Sequence, residues 1–171
     1  MARRKFSRRI YHHINEFITD FRFMWQHRPL IRKTMREIIP FPFRERLMMV
    51  VTQVNGCRYC SYFHAKESLR AGLGADELRQ LLAGAIPDNT PEEELIALIY
   101  AQHWAESDAH PEPQITQKLI EAYGAEKAEA IQIILRMIRI GNLLGNTFDY
   151  WLYLLSFGHW GLRREEKMVL G

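Results

Sequence analysis

The chain has 171 residues, 47% of them apolar and 25% charged, with a formal net charge of +3. That is one domain's worth of chain, able to bury roughly two-thirds of its unfolded surface in a single core, and its balance excludes disorder and fibrous repeats. No apolar run approaches the roughly 18 residues that span a bilayer, not even the one around Trp151 to Leu155.

The chain opens on Arg3, Arg4, Lys5, Arg8 and Arg9 before its first acid, Glu16. This reads as a solvated, partly frayed arm. It lacks the interleaved aromatics and fold motif that would mark a nucleic-acid binder, so no nucleic-acid partner is expected. Tyr11, His12, His13, Asn15 and Glu16 interrupt the stretch where a signal peptide would need apolar residues, so the expected address is cytoplasmic. A helical region over about 8–37 follows, and Pro40 and Pro42 separate it from the segment beginning at Arg44. A helix is expected from near Cys57. Gly72 and Gly74 break the pattern, and a short helix opens at Ala75 with Asp76 as its cap and ends near Gly84. Thr90-Pro91-Glu92-Glu93 places a capping hydroxyl, a proline and first-turn acids at the start of another helix. Its stripe is read as Leu95, Ile96, Leu98, Ile99, Ala101 and Trp104. A helix over Gln114 to Tyr123 stops at Gly124, and a long one follows from about Ala125 to Leu144 with Ile131, Ile134, Leu135, Ile138 and Leu143 buried. Phe148, Tyr150, Trp151, Tyr153, Phe157 and Trp160 crowd the end, a density suited to a core or to an interface. There is no convincing strand pattern, so the fold class is all-α. The organisation expected is an N-terminal helical arm over 1–37, a core over 38–150 and an aromatic extension over 151–171.

The chemistry concentrates in Asn55-Gly56-Cys57-Arg58-Tyr59-Cys60-Ser61-Tyr62-Phe63-His64. Helical steps of three and four residues set Cys57, Cys60 and His64 on one face. Two cysteines at this spacing, in a reducing compartment, suggest redox chemistry or metal binding rather than a stapled scaffold. A thiolate attacks a peroxide or disulfide, and a helix N-terminus or an imidazole lowers a thiol's pKa. A second thiol nearby captures a sulfenic acid as a disulfide before further oxidation. Spacing leaves the attacking sulfur open, because the helix dipole favours thiolate at Cys57 while His64 is better placed to act on Cys60. Zinc binding and inert buried thiols also stay open, although no second Cys or His pair completes a structural zinc site. A covalent haem site is excluded because Ser61, not histidine, follows Cys60. The fixed charge of Arg58 is expected to favour a nearby thiolate. Glu45, flanked by Arg44 and Arg46, reads on its own as a surface acid.

Glu45, Cys57-x-x-Cys60, His64 and Gly72 together match the spacing E-x11-C-x2-C-x3-H-x7-G, which resembles the AhpD-like alkylhydroperoxidases of the carboxymuconolactone decarboxylase superfamily. Ala83-Gly84, Leu98-Ile99-Tyr100-Ala101 and the segment from Ile140-Gly141-Asn142 to Asn146 extend the resemblance over about residues 38–150. It implies a helical bundle that assembles into trimers or hexamers, and a proton relay of the glutamate, the histidine and the two cysteines. In that relay Cys60 resembles the peroxide-reactive thiol, Cys57 its disulfide partner, His64 the base and Glu45 the carboxylate sharing its proton. The implied activity is reduction of a hydroperoxide with an external thiol or lipoyl-type reductant, and it calls for no cofactor and no metal. Tyr59 stands where the relatives carry a histidine; with a pKa near 10 it can donate a hydrogen bond but does not readily shuttle protons at neutral pH. Two other functions fit less of the pattern: lactone decarboxylation, which leaves the cysteines without a task, and a non-catalytic redox sensor using the basic arm.

Overall fold

The computed structural model describes residues 6–163 and Glu166, and among these the chain is all-helical, without a strand. In chain order the elements are α1 (Ile14–Gln26), α2 (Arg28–Lys33), a π-helical turn (Thr34–Ile38), α3 (Phe41–Asn55), α4 (Arg58–Arg70), α5 (Ala75–Leu82), α6 (Glu92–Glu106) and α7 (Pro113–Leu155). Helix α3 is the axis, packed against α4, α5, α6 and α7. Pro40 and Pro42 fix its start, since proline fits the first turn, where its missing N–H is no loss. Phe43, Leu47, Met49 and Val51 are all but fully buried on it, and so are the charged Glu45 and Arg46.

Helix α7 carries Ile131, Ile134, Leu135, Ile138 and Leu143 into the core, as the periodicity predicts. The break at Gly124 is present as well: φ 75° and ψ 162° interrupt the helical path there, and the helix then runs on past Leu144 to Leu155. The basic arm departs from expectation. Residues 6–13 are not helical, the Arg8 side chain is buried, and Arg9 is only partly exposed. Arg9 reaches Asn55 Oδ1 at 3.2 Å and the carbonyls of Ala105 and Glu106, so the segment straps across the ends of α3 and α6. A buried carbonyl without a partner is costly, and these guanidinium groups supply the donors. Arg3, Arg4 and Lys5 lie outside the described residues, as does most of the extension beyond Arg163.

Three local expectations are corrected. Helix α6 starts at Glu92 after Pro91, with no side-chain cap; the Thr90 hydroxyl instead donates to the Pro87 carbonyl at 2.7 Å and closes the preceding turn. Asp76 lies inside the first turn of α5, paired with Arg79, while Gly74 holds the cap position. The buried arc of α6 is Ala97, Leu98, Tyr100, Ala101, Trp104 and Ala105, with Leu95, Ile96 and Ile99 turned outward. Six apolar residues from 95 to 104 spread over too much of the helix circumference to share one face, and small alanines let α6 approach α3 closely.

The terminal aromatics divide. Tyr153 is buried, but Phe148, Trp151, Phe157 and Trp160 are exposed, Phe157 at 94%. No helix among the described residues is long and apolar enough to cross a membrane.

A buried ionic clip holds α3, α5 and α6 together: Arg46 Nε donates to Glu77 Oε1 at 2.5 Å and Nη1 to Glu94 Oε2 at 3.0 Å. Removing the cation strands two carboxylates. We expect Arg46→Met to lose about 3 kcal/mol of stability, read as a lower urea midpoint at unchanged slope; an unmoved midpoint would show that the clip is energetically neutral.

Candidate active site

Helices α3 and α4 meet with only Gly56 and Cys57 between them. Gly56 takes the left-handed conformation, φ 72° and ψ 25°, that ends a helix sharply and that side chains resist. Its N–H returns to the Thr52 carbonyl at 2.8 Å. Cys57 then caps α4, its sulfur accepting from the Cys60 N–H at 3.3 Å. The cap position brings the sulfur under the positive end of the α4 dipole.

Both cysteines are free. Cys57 is fully covered, whereas Cys60 keeps part of its surface. The two thiols lie within hydrogen-bonding reach of each other. The Cys57 thiol is lowered to about 7, first because Cys60 donates to it, then because the backbone N–H groups of Cys60 and Tyr59 point at it; burial and the Asp149 carboxylate oppose the shift. Cys60 is pushed up as the donor in that bond, and burial adds to the rise.

His64 follows Cys60 by one turn. Its Nδ1 lies 2.8 Å from Glu45 Oε2, and the two side chains are 11% and 3% exposed. Glu45 is therefore not the surface acid that its arginine neighbours suggest. It faces inward from α3, with Arg44 Nε at 3.6 Å from its other oxygen. A carboxylate on Nδ1 assigns the ring proton to that nitrogen and leaves Nε2 free as a base.

The Tyr59 and Arg58 side chains reach toward α7. Arg58 Nη2 donates to Asp149 Oδ1 at 2.6 Å and to the Tyr59 hydroxyl at 2.8 Å, and that hydroxyl donates to the same Asp149 oxygen at 2.8 Å. The charge of Arg58 is thus engaged by Asp149, a correction to its expected action on the thiolate. Burial, then the bond to Asp149, raises the Tyr59 phenol above its ordinary value, which keeps it a donor.

The wall behind the cysteines is α7. A Cβ at Gly145 would lie 2.7 Å from Cys57 Sγ, and one at Gly141 would lie 4.0 Å from Cys60 Sγ. Asn146 Nδ2 donates to the Asn55 carbonyl at 2.8 Å and Asn142 Nδ2 to Thr52 Oγ1 at 3.3 Å, tying α7 to the end of α3. In front lies a cleft of about 620 Å³, lined among others by Thr52, Gln53, Cys57, Ser61, Leu82 and Leu162. Among the described residues no three of His, Cys, Asp and Glu are grouped so as to hold a metal ion.

The structure thus brings Glu45 to His64 and Cys57 to Cys60. Gly145, Asp149 and Arg8, which sequence reasoning does not single out, complete the surroundings. The segment from Ile140-Gly141-Asn142 to Asn146, noted only as part of the resemblance, is the sequence cue that pointed here.

Residues 21–103, from within α1 into α6, match the model of the carboxymuconolactone decarboxylase family. The match contains Glu45, both cysteines and His64, and ends before α7. No curated protein and no solved structure matches the chain.

Gly145→Ala tests the packing behind the sulfurs. The added methyl forces a shift of Cys57 or of α7, at a cost of about 1–3 kcal/mol, and we expect slower disulfide formation in the reduced protein. Wild-type stability and thiol reactivity in that variant would contradict the close approach.

Proposed function

We propose that this chain, which belongs through residues 21–103 to the carboxymuconolactone decarboxylase family, is a thiol-dependent peroxidase working through a Cys57/Cys60 dithiol. The observation that carries this reading is the pairing of two free thiols at the start of α4 with a buried His64–Glu45 pair one turn further on. Decarboxylation of a lactone acid, the chemistry in the family's name, leaves the thiol pair unused.

We assign Cys60 as the sulfur that meets the peroxide, because it keeps exposed surface and precedes His64 by one helical turn, whereas Cys57 is covered. His64 takes the Cys60 proton on its free Nε2, and Glu45 holds the ring and stabilises the imidazolium. The Cys60 thiolate attacks the hydroperoxide: an S–O bond forms, the O–O bond breaks, and the alkoxide leaves as the alcohol with a proton from solvent, which balances the one Cys57 released on ionising. Cys57, already thiolate near neutral pH, then attacks the Cys60 sulfenic acid, and hydroxide departs as water with the proton that His64 carries. The dithiol has given two electrons and become a disulfide. An external thiol or lipoyl-type dithiol restores it by exchange, which suits a reducing, cytoplasmic setting. Exposed Phe148, Trp151 and Trp160 favour assembly into a trimer or hexamer, because large aromatics are enriched at interfaces.

Single-residue variants separate the two sulfurs. After one equivalent of hydroperoxide, Cys57→Ser should hold a trappable sulfenic acid at Cys60 with no intramolecular disulfide, while Cys60→Ser should consume no peroxide. Mass spectrometry of the trapped protein reads both. Sulfenic acid at Cys57 in the Cys60→Ser protein would exchange the two roles, and inert thiols throughout would remove the peroxidase reading.

The pH profile follows from the Cys57 thiol being lowered to about 7. Cys57 acts as thiolate in the closing step, so the rate at which a Cys60 sulfenic acid closes to the disulfide should rise about tenfold per pH unit below that value and level off above it. A profile still climbing steeply between pH 8 and about 9, where an ordinary thiol titrates, would contradict the lowered value.

A further inference from the structure

Arg8, from the segment before α1, is buried beside the site without touching either sulfur. Its Nη1 donates to Asp149 Oδ2 at 2.7 Å and to Asn146 Oδ1 at 3.3 Å, its Nη2 to the Gly161 carbonyl, and its Nε to Glu166 Oε1 at 3.2 Å. The two partners of the short pair are covered, with side chains 5% and 0% exposed. Arg58 and the Tyr59 hydroxyl occupy the other Asp149 oxygen, so the carboxylate is an anion bracketed by two guanidinium groups. Arg8 also lies over Gly56, the residue before Cys57: a Cβ there would sit 3.2 Å from Arg8 Cδ.

Asp149 is a buried negative charge near a sulfur that must become negative, and an uncompensated charge in such surroundings acts over several ångströms. We propose that Arg8 is a positioning residue for the dithiol: by neutralising Asp149 and closing over Gly56, it keeps that carboxylate from opposing a thiolate at Cys57. The segment before α1 is then part of the working site, although it lies outside the family match. The charged and titratable groups facing Cys57 are Cys60, Arg58 and Tyr59 of α4, Asp149 of α7, Arg8, and Arg163 on the shared cleft. His64 of α4, paired to Glu45 of α3, stands a turn beyond Cys60. Of these, Asp149 is the fixed anion that Arg8 can offset.

This inference rests on the dithiol reading above for its importance, but its test does not use peroxide. The ultraviolet absorbance of the thiolate, followed against pH in the fully reduced full-length protein, gives the ionisation midpoint of the pair. Arg8→Gln should raise it by about one pH unit, the size expected for exposing one buried charge at intermediate distance. Asp149→Asn should lower it, and Arg8→Lys, which keeps the charge, should stay near wild type. Simple loosening of the site moves Arg8→Gln and Asp149→Asn in the same direction, so opposite shifts are the signature. Midpoints that do not move, or that move together, overturn the proposal. If Arg8→Gln fails to fold by circular dichroism, Asp149→Asn decides, and a midpoint that does not fall overturns it. Loss of peroxide turnover with the opposite shifts intact would remove the proposed activity and leave this inference standing.

Discussion

The abrupt junction between α3 and α4 is the constraint on which the rest of the site depends. A single left-handed glycine, Gly56, reverses the chain, and the next residue, Cys57, is already the cap of α4. A helix started this way offers its unpaired N–H groups to whatever occupies the cap. Here that is a sulfur atom, which is held against the backbone of α7 where Gly145 has no side chain. A longer loop would leave the thiol free to move and would lose both the dipole and the close contact. The same junction fixes the direction of α4, and so carries His64 to a point where Glu45, twelve residues before Cys57, can reach it across the helix pair.

Two buried carboxylates then divide the surroundings of the dithiol. Glu45 holds His64 through Nδ1. Asp149 serves structure, gathering Arg8, Arg58 and Tyr59 at the opposite side of the cysteine pair. Buried charges are tolerable only when paired: Asp149 accepts hydrogen bonds on both oxygens, and Glu45 has His64 on one oxygen and the Arg44 guanidinium 3.6 Å from the other. The difference lies in their partners. An imidazole can give and take a proton near neutral pH, whereas a guanidinium cannot; one carboxylate is therefore built for proton movement and the other for fixed charge.

Much of this was legible in the chain, and the exceptions have a common cause. Cys57, Cys60 and His64 share a face by helical spacing alone, and the all-helical class, the break at Gly124 and the buried stripe of α7 follow from local pattern. Glu45 was visible only through its resemblance to a family, since its contact with His64 depends on how α3 crosses α4. Asn146, Gly145 and Asp149 meet the site from about ninety residues away along the chain and Arg8 from about fifty, and no local rule reports such contacts. The charge of Arg58 was misassigned for that reason: its partner, Asp149, is invisible from its neighbours in sequence. Thr90 failed differently, because a hydroxyl suited to capping found a nearer acceptor at Pro87.

The family match covers Glu45, both cysteines and His64 and stops before α7, so the wall behind the cysteines and the arginine strap are contributed by segments beyond it. The measurement that bears most directly on the central claim is a titration of the reduced protein with hydroperoxide, counting peroxide consumed, thiols lost and intact mass together. The account predicts one peroxide consumed for every two thiols, with the loss of two hydrogens as a single intramolecular Cys57–Cys60 disulfide. Peroxide left untouched while both thiols remain reduced would contradict it.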